Sequence, residues 1–429
     1  MNPFLRKFLT FGIAMLASAS VHAIQFDGFF TVGAAIHDDD TNAASGSENR
    51  YIGSLGDRGI TEDLTFETDT RFGLQISSDV SENMSVVAQL LGRGTNSNFD
   101  AIVEWAYVDW EFTDWLSLRA GKIKQPVYLV NDYVEVGFAY PWIRPPVEVY
   151  YLNNPLNTVN GAGLLLSFPV GPGSLSFQPY IGSNRDDIPN TQGNAFFEAE
   201  NIVGIDVRCA GRGYSVHAST FQCEVKTFGS LTDQPTAFGF PVDVDLNGKG
   251  DCDVTAAGLT FDLANVVVYA EWQERTTTDT LSRPFGDQDA WYTTLGYRIG
   301  KWLPHLTYAT IDGTASTVTP GAVSCAASTG PLPGGGCATP LGAVPGGTPL
   351  FNFPIAVQSS ITAGLRYEVN DSSALKFEYA VVDVENDPAE LASTNNPLGI
   401  NYGLFDTDLT KAPPKDKVGI ASIALDVIF

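Results

Sequence analysis

The chain has 429 residues, 24 of them basic and 49 acidic, giving a formal charge of -25 with a mean hydropathy of zero. That balance excludes nucleic acid as a partner, since phosphate binding needs a basic footprint. No segment beyond the N-terminal leader is apolar enough for a membrane helix, and no linker or composition shift divides the chain into soluble domains.

Residues 1–23 read as a secretory signal peptide. Arg6 and Lys7 form the positive start, Phe8 to Ala17 the short apolar core, and Val21-His22-Ala23 the small-residue cleavage site. A membrane anchor is the competing reading, but the run falls short of the ~20 residues a spanning helix needs. Removing Arg6 and Lys7 moves the formal charge from -25 to -27.

Beyond the leader, alternation with a period of two dominates. Residues 24–36 put Phe26, Phe30, Val32, Ala34 and Ile36 on one face. Residues 62–78 set Leu64, Phe66, Phe72, Leu74 and Ile76 against Asp63, Glu67, Asp69, Arg71 and Gln75. Further strands are expected near 84–93, 99–111, 116–123, 161–168, 175–182, 201–209, 214–224, 254–261, 266–275, 290–299, 302–311, 358–368, 374–383 and 417–429. Connections alternate between short ones, such as 79–83, 112–115, 210–213 and 262–265, and long ones. The long ones include 124–160, 225–253, 312–357 and 384–416.

Strands of this length, with short turns on one side and long loops on the other, predict an all-β transmembrane antiparallel barrel of about sixteen strands over residues 24–429. A large soluble β-sandwich or solenoid is the alternative; its strands should be shorter, and no fixed repeat is present. In hydrocarbon only a closed barrel pairs every strand backbone group. The apolar face then meets lipid, and the charged face meets water. The inward set includes Glu67, Asp69, Arg71, Gln75, Asp206, Arg208, His217, Glu271, Arg298, Arg366, Glu368, Lys376 and Glu378. Trp110, Trp115 and Trp302 flank short turns, where an aromatic girdle is expected.

The segment Ala106-Tyr107-Val108-Asp109-Trp110 through Leu116-Ser117-Leu118-Arg119-Ala120-Gly121-Lys122 resembles a strand–turn–strand pair of Gram-negative outer-membrane porins, including their phosphate-selective branch. The resemblance implies a homotrimer in outer-membrane lipid and lipopolysaccharide, with residues 124–160 folded inward as a constriction loop. An outward cap over the mouth remains the other reading of that loop. Ala421, Ile423, Leu425, Val427 and the terminal Phe429 resemble the signal that such proteins show to the barrel-assembly machinery.

A porin eyelet would oppose charges across the lumen. The basic candidates are Arg71, Arg119, Lys122, Lys124 and Arg144; the acidic ones are Glu67, Glu104, Asp132, Glu135 and Glu148. Lys122 has lipid-facing parity and qualifies only if the strand bends. With no Lys or Arg ladder in so acidic a chain, phosphate selectivity is disfavoured. The expected function is passive diffusion of small hydrophilic solutes and ions, general or mildly cation-preferring. A selective channel for anions or organic acids is the alternative, and an outer-membrane enzyme or adhesin a third. No catalytic motif stands out.

Asp243, Asp245 and Asn247, followed by Gly248, Asp251 and Asp253, resemble a calcium loop, though position twelve is Val254 rather than Glu. No other cofactor is expected. Of the five cysteines, Cys223 with Cys252 and Cys325 with Cys337 are possible disulfide pairs, leaving Cys209 free.

Overall fold

The computed structural model describes residues 24–41, 49–52, 59–94, 99–150, 157–187, 195–235, 241–245, 247–278, 286–314, 317–318, 323–325, 330–331, 337–339, 342–344, 351–352, 356–385, 391, 401, 403–406 and 414–429. The leader at 1–23 lies outside these residues.

Sixteen long strands form one antiparallel barrel. In chain order they are β1 (Gln25–His37), β2 (Arg71–Ser81), β3 (Met84–Gly94), β4 (Phe99–Thr113), β5 (Leu116–Lys124), β6 (Thr158–Val170), β7 (Gly173–Asp187) and β8 (Ala195–Gly211). The second half comprises β9 (Tyr214–Pro235), β10 (Gly248–Leu263), β11 (Val266–Thr277), β12 (Gln288–Tyr297), β13 (Trp302–Gly313), β14 (Val357–Asn370), β15 (Ser373–Val384) and β16 (Lys417–Ile428). Each strand pairs with its neighbours in sequence, and β1 pairs with both β2 and β16, so the barrel closes.

Closure leaves the two faces in different solvents. On β1, Phe26, Phe30, Val32 and Ile36 are exposed while Phe29, Thr31, Ala35 and His37 are buried. From Phe26 to Ile36 the apolar row runs about 33 Å along the strand. At a tilt of about 40° that covers about 25 Å of bilayer, the height of an outer-membrane apolar band. Trp110, Trp115, Phe168, Tyr214, Phe261, Tyr297 and Trp302 are exposed near the short-turn end, forming one aromatic belt. Short turns join the strands there. The β10–β11 hairpin turns on Ala264 and Asn265, both at positive φ (51° and 70°), the twist a two-residue hairpin requires.

Three expectations change. The strand predicted at 62–78 begins only at Arg71. Before it the chain bridges Ala35 to Thr65 and then turns, with Thr70 N–H donating to Phe66 O at 3.2 Å. The reason is local: Asp69 packs onto β1 at Gly33, where any Cβ would lie 2.3 Å from that of Asp69. The predicted loop 225–253 is largely strand, because β9 and β10 stay paired out to Thr227–Gly248. The inward loop itself spans 125–157, between β5 and β6.

Candidate constriction site

The loop after β5 leaves the wall at Gln125 and crosses the lumen. It holds two single-turn 3-10 segments, Asn131–Tyr133 and Gly137–Ala139, and a one-turn helix, α1 (Val147–Tyr150). Such irregular backbone would strand polar groups inside a barrel, and each unmet group costs free energy. Charged side chains of the wall meet them. Lys376 on β15 donates to Gly137 O and Trp142 O, both at 2.5 Å. Arg366 on β14 donates to Phe138 O at 2.7 Å and Tyr140 O at 2.9 Å. Glu271 on β11 accepts from Leu129 N–H (2.6 Å) and the Tyr150 hydroxyl (2.5 Å), and Glu378 on β15 accepts from Ile143 N–H at 3.0 Å. Ser219 on β9 donates to Val127 O at 2.6 Å.

Apolar packing completes the seat. Trp142 is buried with Tyr140, Tyr292 and Ile311, and its indole N–H reaches Thr294 Oγ1 at 2.9 Å. The inward charges read from the sequence are therefore present, but those on β8–β16 mostly hold the loop. Water retains the side lined by β2–β7. Gln75, Trp105, Tyr107, Arg119, Asp132 and Gln178 border a cavity of about 330 Å³ there. Gln75 also borders a second cavity of about 530 Å³, lined by Gln89, Val136 and Phe429.

The eyelet candidates separate into groups. Arg119 and Asp132 line the open cavity, whereas Arg71 and Glu135 pair beside the loop. Glu135 lies 3.8 Å from Arg71 and 3.6 Å from Arg93. Arg71 also donates to Glu135 O at 2.9 Å and to the Tyr140 hydroxyl at 2.7 Å. Arg119 pairs with Asp109 at 2.8 Å and lies over the Tyr107 ring at 5.4 Å. Asp132 is exposed, and among the described residues no ion pair engages it.

Lys124 lines the same cavity but is already paired, and the remaining candidates sit elsewhere. Glu104 and Lys124 neutralise each other at 2.6 Å in a buried pair, with Asn157 donating to Glu104. Arg144 is sequestered behind the loop on Asp69 and Ser422. Glu148 in α1 is buried, accepting from Gln358 at 3.0 Å, and burial pushes its carboxyl pKa up. Glu67 is exposed in the turn before β2, off any strand. Lys122 keeps its outward parity, with Nζ on Val103 O at 2.8 Å, so the bend that would carry it inward does not occur. Sequence reasoning passed over Arg93 and Asp109. Both have the inward parity of Gln89 and Tyr107 on their strands, and that parity could have found them.

Cys223 and Cys252 face each other across β9 and β10, 5.2 Å apart at Cα, and are joined by a disulfide. Cys209 is free and exposed. The side chains of Cys325 and Cys337 lie outside the described residues, as do those of Asp243 and Asp245. Asn247 Oδ1 accepts from Gly229 N–H at 3.3 Å, while Asp251 and Asp253 belong to β10. Asp253 accepts from Gln222 at 2.7 Å. Among the described residues no group of three or more His, Cys, Asp or Glu is placed to hold a metal. Phe429 exchanges backbone hydrogen bonds with Gly28, at 2.9 and 2.8 Å, on the β1–β16 seam.

No family model matches the chain, and no curated protein sequence matches it. Solved structures do. The chain is similar to OmpT, an outer membrane protein of Vibrio cholerae, at 12% identity and a TM-score of 0.53, over 96% of this chain and 99% of that one. It is similar also to the anion-selective porin from Comamonas acidovorans, at 12% identity and a TM-score of 0.53, over 95% and 99%. The fold is that of the outer-membrane porins. On this porin fold the anchored segment 125–150 divides the lumen into a filled side and an open side.

Proposed function

We propose that the chain sits in the Gram-negative outer membrane as a water-filled channel for passive diffusion of small hydrophilic solutes and ions. The observation that carries this reading is the half-filled lumen: a loop fixed to one wall beside a polar opening along the other. Solutes move down their gradient and are filtered at the level of Asp132 and Arg119. Arg71 and Arg93 share the one carboxylate of Glu135 and Arg119 pairs with Asp109, whereas Asp132 makes no ion pair among the described residues. The eyelet thus favours a general pore with a mild cation preference. The apolar exterior suits surrounding lipid and lipopolysaccharide, and a homotrimer inserted by the barrel-assembly machinery is part of the proposal.

The anion-selective porin from Comamonas acidovorans motivates the second reading, a channel for anions or organic acids. Planar-bilayer recordings separate them. Large ohmic steps, with a reversal potential in a salt gradient on the cation side, are expected. An anion-side potential would favour the second reading. Lack of any conductance would leave an outer-membrane enzyme or adhesin.

A further inference from the structure

We infer that the cavity on the open side of the constriction is a weak binding site for neutral, polyhydroxylated solutes of about hexose size. The inference rests on the diffusion-channel reading and adds a solute class to it. Three features of the lining carry it. First, the aromatic faces are already covered: the Arg119 guanidinium lies over Tyr107, and the Lys124 ammonium lies 5.5 Å from the centre of the Trp105 ring. An aromatic solute therefore finds no free ring to stack on.

Second, the cations are already neutralised. Asp109 holds Arg119 at 2.8 Å and Glu104 holds Lys124 at 2.6 Å. An anion would gain little from either and would meet Asp132 unscreened. Third, neutral hydrogen-bonding groups are left over. Trp105 is only 9% exposed, yet its indole N–H has no partner. The amides of Gln75 and Gln178 line the same cavity, and among the described residues neither side chain makes a hydrogen bond. The half-buried amides of Gln75 and Gln178, unlike the sealed indole N–H, are open to a ligand that supplies partners. A solute rich in hydroxyls, each both donor and acceptor, does so without adding charge. At about 330 Å³ the cavity is at the small end of ligand sites.

The test is single-channel recording of the reconstituted full-length protein with increasing glucose, against a polyethylene glycol of equal hydrodynamic radius. Glucose should lower conductance saturably, beyond its effect on bulk conductivity, while the glycol should follow bulk conductivity alone. Gln178→Leu should weaken the glucose block about tenfold, one hydrogen bond's worth. Equal, non-saturating effects of the two solutes would overturn the inference while leaving the channel reading intact, as would an unchanged block in Gln178→Leu. Absence of channels altogether would remove the channel reading first.

Discussion

Lys376 Nζ lies 2.8 Å from Asp426 Oδ2 in the barrel interior, with both side chains almost fully buried. Asp426 also accepts from Thr31 at 2.7 Å, and Lys376 spends its other protons on the loop carbonyls of Gly137 and Trp142. The pair ties the constriction loop to β15, β16 and β1 together. Lys376→Met should cost about 3–5 kcal/mol, because it leaves Asp426 buried without its counter-ion. The double variant with Asp426→Asn should recover much of that loss. Thermal unfolding of the folded trimer or monomer in detergent measures the stability, and open-channel noise should rise in the single variant.

Gly137 marks where the loop touches the wall. A Cβ there would lie 2.2 Å from Asp426 Oδ1 and 2.9 Å from Thr31 Oγ1. Gly137→Ala must therefore push the loop tip away from β16, at a cost of about 1–3 kcal/mol. Larger or more variable single-channel conductance is the expected readout. Unchanged conductance and stability would mean that the tip does not seat there.

Glu148 supplies a pH dependence. Burial raises its carboxyl pKa, against hydrogen bonds from Ser360 and Gln358 that lower it. A carboxyl raised on folding binds its proton more tightly in the folded state, so stability falls as pH rises from the ordinary carboxylate range through the folded value. Glu148→Gln keeps the contact with Gln358 and removes that loss. Its melting temperature should exceed the wild type's by about 2–4 °C at neutral pH, for about 1 kcal/mol relieved, and match it in acid. Melting curves across pH check this, and an equal offset at every pH would refute it.

The Cys223–Cys252 bridge joins strands already paired in register from Tyr214–Phe261 to Thr227–Gly248. A disulfide contributes about 2–4 kcal/mol when it closes an otherwise free loop. Here the ladder already restrains the chain, so Cys223→Ala with Cys252→Ala should fall at or below the low end. Ion selectivity should not change. The rise in thiol count on adding reductant to denatured protein should be two groups smaller in the double variant than in the unsubstituted chain.

The barrel was legible in the sequence because lipid on one side and water on the other force a strict two-residue period. Phe26 to Ile36 and Leu375 to Val381 show it plainly. Asp63 to Thr70 misled because the same alternation continues where the chain has already left the wall; only Asp69 reaching Arg144 reveals the turn. The positions of Asp132, Glu135 and Arg119 followed from parity and loop length. The fate of Glu104, Lys124, Arg144 and Glu148 did not, since each is decided by a partner at least 20 residues away. Periodicity carries no information about such pairs.

The crossing of the loop has a consequence for how such a channel can vary. Most of its fastenings lie on β8–β16 and β1, with Arg71 on β2 and Arg93 on β3 also holding Glu135, whereas the solute path is lined by other residues of β2–β7. Substitutions in the first set should change how firmly the gate is held, and those in the second what passes it. The two traits are thus genetically separable, and one could drift while the other stays fixed.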